Sequence, residues 1–149
     1  MSATQLNILL ADDDADDCTL FHDALAEIQL STHLTIVSDG EMLMKYLSEN
    51  LKSPPHMLFL DINMPRKDGF QCLLEMKQNE NLKDIPIIML STFNLKDKIR
   101  ALFEAGADIF VRKPNSYDEL VQVIHHAIPI ASNNSFSHSK IKYILNAYV

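Results

Sequence analysis

Residues Met57 to Gly69 read M-L-F-L-D-I-N-M-P-R-K-D-G, and the order of residue types along this stretch decides the fold. Met57 to Leu60 form a continuous apolar run of the kind a strand buried on both faces requires. Asp61 stands where that strand should end. Asn63 follows, Pro65 stops the ladder, and Asp68-Gly69 is a turn signal ahead of an amphipathic run. A carboxylate at the C-terminal end of a buried parallel strand sits where open α/β sheets keep their ligands. Taken alone, the stretch allows two readings: Asp61 caps the next helix, or it belongs to a site.

Working outward, the same grammar recurs. Asn7 to Ala11 (N-I-L-L-A) predicts a first strand, followed at once by Asp12, Asp13, Asp14, Asp16 and Asp17. Leu20, Phe21, Ala24, Leu25 and Ile28 then share one helical face, and acids at that helix start suit the positive end of its dipole. Leu34 to Val37 predicts a second strand. Asp39-Gly40 turns the chain into a helix carrying Met42, Leu43, Tyr46 and Leu47, and Lys52-Ser53-Pro54-Pro55 is a loop. After the strand at 57–60, a helix from about Asp68 to Gln78 places Phe70, Leu73, Leu74 and Lys77 in register. Pro86 to Leu90 predicts the fourth strand, with proline at its tolerated first position. Lys96 to Glu104 predicts a helix ending at Gly106, a left-handed cap. Ala107 to Val111 predicts the fifth strand, and Ser116-x-x-Glu119 is a capping-box signature before a helix bearing Leu120, Val121, Ile124 and Ala127.

Strand followed by helix, five times over, implies a parallel sheet covered on both faces. The three glycines all fall at junctions, and neither G-x-G-x-x-G nor G-x-x-x-x-G-K-[ST] is present, so the usual backbone cradles for nucleotide phosphates are missing. Beyond Pro129 the composition changes. Ala131 to Ser139 is polar and Ser/Asn-rich, which predicts a linker, and Ile141, Ile144, Leu145 and Tyr148 repeat at helical spacing. The expected organisation is one domain over 5–130 and a C-terminal tail over 131–149.

Composition narrows the functional classes. A chain of 149 residues with 47% hydrophobic and 22% charged residues is ordinary for a soluble globular domain. A net charge of −7 argues against nucleic acid as a direct partner, because phosphate binding needs clustered Lys and Arg. The N-terminus lacks the basic region of a signal peptide, and no apolar run approaches the roughly 18 residues of a membrane span. Cys18 and Cys72 have neither metal-ligand spacing nor disulfide-framework density and read as small core residues, which places the expected location in the reducing cytoplasm. His125 and His126 are adjacent on a helix and face different directions. The other histidines have no site spacing, and all six read as structural or surface residues.

The groups just past the strand ends are Asp12 and Asp13, Asp61, Ser91 and Thr92, and Arg112-Lys113-Pro114. In a parallel sheet these ends lie along one edge, so the groups converge. Clustered carboxylates repel one another and raise at least one pKa unless a cation sits among them. Hard oxygen ligands, few in number and mixed with water, suit Mg²⁺. Lys113 is a compact charge that can pair with Asp61 or with an incoming phosphoryl oxygen, and the hydroxyl at 91 can donate to the same oxygen. The chemistry this describes is a Mg²⁺-assisted phosphoryl acceptor with Asp61 as nucleophile. Asp14 reads as a helix cap, Asp16 and Asp17 as solvated helix charges, and Arg66, Lys67 and Arg112 as exposed charges.

The combination resembles the receiver domain of response regulators, the CheY-like superfamily, over about Leu6 to Ile128. The residues that carry it are Asp12-Asp13 after I-L-L-A, the block D-I-N-M-P-R-K-D-G at 61–69, Ser91 after P-I-I-M-L, and Lys113-Pro114. The resemblance implies a doubly wound (βα)₅ flavodoxin-like fold of strand order 2-1-3-4-5, with helices on both faces. It implies that Asp61 accepts a phosphoryl group from a sensor histidine kinase or histidine phosphotransfer protein. Mg²⁺ would be held by Asp13, Asp61 and the Asn63 backbone carbonyl, with Asp12 acting largely through water. Ser91 and Lys113 would contact the phosphoryl group, and Phe110 matches the switch aromatic. Thr92 and Phe93 stand where other members carry smaller or more polar residues. The output would be a contact made by the receiver itself with a downstream protein, onward transfer to a relay partner, or a homodimer through the face of helix 4, strand 5 and helix 5. The A-D-D-D-A-D-D opening resembles single-domain regulators that partner phytochrome-like and hybrid kinases.

Competing readings fare worse. A haloacid-dehalogenase-like phosphohydrolase would need a second Asp two residues after the nucleophile, where this chain has Asn63. A phosphate-independent pseudo-receiver predicts loss of a metal ligand or the lysine, and none is lost. A flavodoxin-like redox protein would need a hydroxyl-rich phosphate loop where this chain carries acids. The expectation is therefore a signalling phosphoacceptor rather than an enzyme.

Overall fold

The structure is a computed structural model that describes residues 5–92, 96–132 and 143–145. Strands β1 (Leu6–Ala11), β2 (Thr32–Val37), β3 (Met57–Asp61), β4 (Ile87–Ser91) and β5 (Ile109–Arg112) alternate with helices α1 (Ala15–Ala26), α2 (Gly40–Glu49), α3 (Gly69–Lys77), α4 (Lys96–Glu104) and α5 (Tyr117–Ser132). A sixth strand, β6 (Tyr143–Leu145), completes a parallel sheet of order β2-β1-β3-β4-β5-β6. The first five strands keep the order expected from the sequence.

Because side chains alternate across a strand, each central strand feeds both layers. Leu9, Leu58, Leu60, Ile87, Met89 and Phe110 point into a core closed by Leu43 and Leu47 of α2, Leu73 and Met76 of α3, and Ile99 and Leu102 of α4. Ile8, Leu10, Met57, Phe59, Ile88, Leu90, Ile109 and Val111 point the other way, against Phe21 and Leu25 of α1 and Ile124 and Ile128 of α5. All five residues of β3 and of β4 are buried, which is why those strands read as uninterrupted apolar runs. Cys18 and Cys72 are buried among these layers, and burial pushes their thiols up to about 11 and about 12, so they are inert packing residues.

Helix termini follow their sequence signals. Asp14 caps α1 by accepting from the Asp17 N–H, and Asp39 caps α2 by accepting from the Met42 N–H. Gly106 takes φ +114 after α4, the left-handed cap expected there. Ser116 accepts from the Glu119 N–H at 3.2 Å, while the complete reciprocal capping box lies at Asp68 and Gln71, ahead of α3.

Two expectations about the C-terminal part are corrected. Ala131 and Ser132 are not linker: α5 runs through Pro129 to Ser132, because burial of Ala127, Ile128 and Ala131 offsets the one helical hydrogen bond that proline removes. Ile144 and Leu145 are not helical but lie in β6, parallel to β5 with Phe110 opposite Ile144. A Tyr-Ile-Leu segment suits a strand, and it pairs an edge of β5 that would otherwise be open. The remaining expected tail residues, Ile141 and Tyr148 among them, and Phe93 lie outside the described residues. Among the described residues no helix is long and apolar enough to cross a membrane.

Candidate functional site

The parallel register brings four strand ends level. Ala11 lies opposite Leu60, Asp61 opposite Leu90, and Ser91 opposite Arg112. Asp12, Asp61, Ser91 and Lys113 therefore share one edge. The Lys113 N–H donates to the Ser91 carbonyl at 2.8 Å, which fixes where the lysine leaves the sheet.

Asp12 is held in place by its surroundings. Its backbone N–H donates to Val37 at 3.1 Å, and its Oδ1 accepts the Asp14 N–H at 3.0 Å. It is 3% exposed and Asp61 is 5% exposed, while Asp13 is exposed beside them. One carboxylate oxygen from each of Asp12, Asp13 and Asp61 lies within 4.8 Å of the others. Asp61 Oδ1 accepts the Asn63 N–H at 3.4 Å. Lys113 Nζ answers these charges from 3.1 Å (Asp12), 3.0 Å (Asp17) and 3.5 Å (Asp61).

The electrostatics follow from this geometry. Burial pushes the Asp61 carboxyl up to about 7, and the Asp12 charge adds to the rise against the opposing effects of Lys113 and the Asn63 N–H. Burial works against the charge on Lys113, but Asp61, Asp12 and the Asp17 hydrogen bond outweigh it and hold the ammonium above its usual range. One lysine thus faces an excess of carboxylates. The donor set is hard oxygen with no sulfur or imidazole, and Asp13 keeps it open to water, which fits a small divalent cation.

Asp12, Asp13 and Asp61 gather in one cluster that Lys113 faces, Ser91 ends the neighbouring strand on the same edge, and Asn63 lies on the loop directly after Asp61. Thr92 follows Ser91 and is exposed. Pro114 lines a cavity of about 160 Å³ between α1 and α5 with Asp17, Leu20, Tyr117 and Leu120. Phe110 is fully buried in the layer of α2, α3 and α4. Asp17 is a correction: it is no free helix charge but pairs with Lys113, while Asp16 is exposed. The available signal was its place one helical turn past Asp13, on the same edge. Arg66 and Lys67 also have partners, Asp39 and Glu75.

The response regulator receiver domain model matches residues 8–125. Response regulator Rcp1 of Synechocystis sp. is 33% identical over 121 residues, covering 78% of this chain and 82% of that protein. The crystal structure of the Mn²⁺-bound form of Rcp1 superposes with a TM-score of 0.73 at 32% identity, covering 81% of this chain and 90% of that one. The phosphorylated cyanobacterial phytochrome response regulator RcpA superposes with a TM-score of 0.78 at 28% identity, covering 93% of this chain and 98% of that one.

Proposed function

Because the chain belongs to the response regulator receiver domain family and so serves two-component signalling, we propose that Asp61 is its phosphoacceptor. The phosphodonor is the histidine of a sensor kinase or a histidine phosphotransfer protein. The observation that carries this reading is the approach of Lys113 Nζ to 3.5 Å from Asp61, beside carboxylate oxygens gathered within 4.8 Å. A phosphoryl acceptor needs a nucleophilic oxygen, a cation for the transferred group, and ligands for a metal, and each is present.

Asp12, Asp13, Asp61 and the Asn63 carbonyl would hold Mg²⁺. When bound, the ion supplies positive charge against the phosphoryl oxygens. An Asp61 oxygen forms the new O–P bond as the N–P bond of the donor histidine breaks, and that imidazole keeps the electron pair and takes a proton from solvent. Lys113 neutralises one phosphoryl oxygen and Ser91 donates its hydroxyl to another. β5 connects Lys113 to the buried ring of Phe110, the route by which phosphorylation would reach helix α4 and helix α5. A downstream protein or a second copy using that face meets β6 on the β5 edge.

A phosphate-independent module is not favoured, since the carboxylates and the lysine are all in place. The test is incubation with a small phosphodonor and Mg²⁺, reading a phosphate-dependent gel shift in wild type and Asp61→Asn. A shift in wild type alone supports Asp61. A shift that survives in the variant, or none in wild type, overturns it.

A further inference from the structure

The loop after Asp61 is braced by a part of the fold that contributes no ligand. Ile62 and Met64 are buried and anchor it, and the Gly69 N–H closes it on the Ile62 carbonyl at 2.8 Å. Between these anchors the Lys67 N–H donates to the Pro65 carbonyl at 2.7 Å, a tight turn that puts Arg66 at φ 68. Among the described residues Arg66 alone of the non-glycines has a positive φ. A side chain disfavours that region, so contacts outside the turn must hold it there.

Beside the Lys67–Glu75 pair to α3, those contacts come from the start of α2. Asp39 is buried, and its two oxygens are divided: Oδ1 accepts the Met42 N–H at 2.8 Å, and Oδ2 faces Arg66 Nε at 3.4 Å. The helix backbone thus locks the carboxylate that receives the arginine. Next to it, a Cβ on Gly40 would lie 2.0 Å from the Lys67 carbonyl oxygen, so the loop backbone rests directly against the glycine. The Gly40 carbonyl also accepts the Cys72 thiol of α3 at 3.7 Å.

This matters because a backbone carbonyl cannot swing to find a metal as a carboxylate can. Its aim is set by the path of the chain. We propose that Asp39, Gly40 and Arg66 are positioning residues for the metal site, acting through the loop over 62–68 to aim the Asn63 carbonyl and hold the Asp61 carboxylate level with Asp12 and Asp13. The inference rests on the reading of Asp61 and Asn63 given above.

The experiment titrates the full chain with Mg²⁺ by calorimetry and follows amide exchange over 62–68 in metal-free protein. Asp39→Asn keeps a capping oxygen for Met42 but removes the charge facing Arg66. Arg66→Ala removes the other partner, Arg66→Lys keeps the charge, and Gly40→Ala pushes the loop. Asp39→Asn and Arg66→Ala should weaken Mg²⁺ binding about threefold to tenfold and speed loop exchange. Because the Arg66 side chain is 66% exposed, each should lower the unfolding midpoint only slightly. Arg66→Lys should recover much of the affinity, and Gly40→Ala should lose the most. Wild-type binding with Asp39→Asn and Arg66→Ala within about twofold of it, and loop exchange unchanged, overturns the inference. So does affinity loss confined to Gly40→Ala and matched by lost stability. Absence of Mg²⁺ binding by wild type overturns the site reading itself, and the inference with it.

Discussion

Lys113 Nζ stands 3.1 Å from Asp12 Oδ2, although 101 residues separate the two in sequence. The pair exists because β1 and β5 end on the same edge of one parallel sheet. It also means that the lysine neutralises the buried acids Asp12 and Asp61.

Removing the lysine should therefore cost stability as well as function. Lys113→Met leaves Asp12 and Asp61 buried without their cation. The expected loss is about 3 kcal/mol near pH 8, measured by urea unfolding in metal-free buffer. The loss should shrink toward about pH 5, where Asp61 carries a proton.

Asp61→Asn should have the opposite sign without metal. The folded protein holds the Asp61 proton up to about 7, against an ordinary value of 3.8, so the native state binds more protons than the unfolded chain between those values. Stability from this group is full below the lower value and is lost as pH rises to the upper one. The variant escapes that loss and should be more stable than wild type by up to about 4 kcal/mol near pH 8, with the difference vanishing near pH 4. Adding Mg²⁺ should stabilise wild type more than the variant, read as a shift in unfolding midpoint.

Asp17 and Asp16 offer an internal comparison. Asp17 lies 3.0 Å from Lys113 Nζ with its side chain 43% exposed, so Asp17→Asn should change stability by under about 1 kcal/mol. It should still lower the Lys113 pKa, read by NMR titration of the ammonium, while Asp16→Asn leaves that titration unchanged.

The turn into α3 can be tested in two steps. Asp68→Ala removes the capping box with Gln71 and should cost about 1 kcal/mol in urea unfolding. Gly69→Ala should cost more, about 2 kcal/mol, because its Cβ would lie 2.3 Å from the Asp61 carbonyl oxygen. Only Gly69→Ala should also weaken Mg²⁺ binding.

Much of this was legible in the residues. β3 and β4 are buried on both faces and so appear as unbroken apolar runs, and the polar residue ending each run marks the edge where the carboxylates and Lys113 gather. What escaped is what tertiary structure decides. Asp17 looks like any acid favouring a helix start until Lys113 arrives from the far end of the chain. Ile144 and Leu145 fit a helical period by spacing, yet the open edge of β5 makes a strand of them. Pro129 signals a helix end, but apolar burial carries α5 past it. The contact of Gly40 with Lys67 joins two βα units and has no local signature at all.

The most direct test of Asp61 as phosphoacceptor is chemical trapping. The full chain is phosphorylated by a small phosphodonor with Mg²⁺, reduced with borohydride, and mapped by peptide mass spectrometry. An acyl phosphate on Asp61 is reduced to homoserine, so the modification should appear at position 61 and nowhere else, and only when Mg²⁺ is present. Homoserine at Asp12 or Asp13, or an unmodified Asp61 in protein that has bound Mg²⁺, would contradict the assignment.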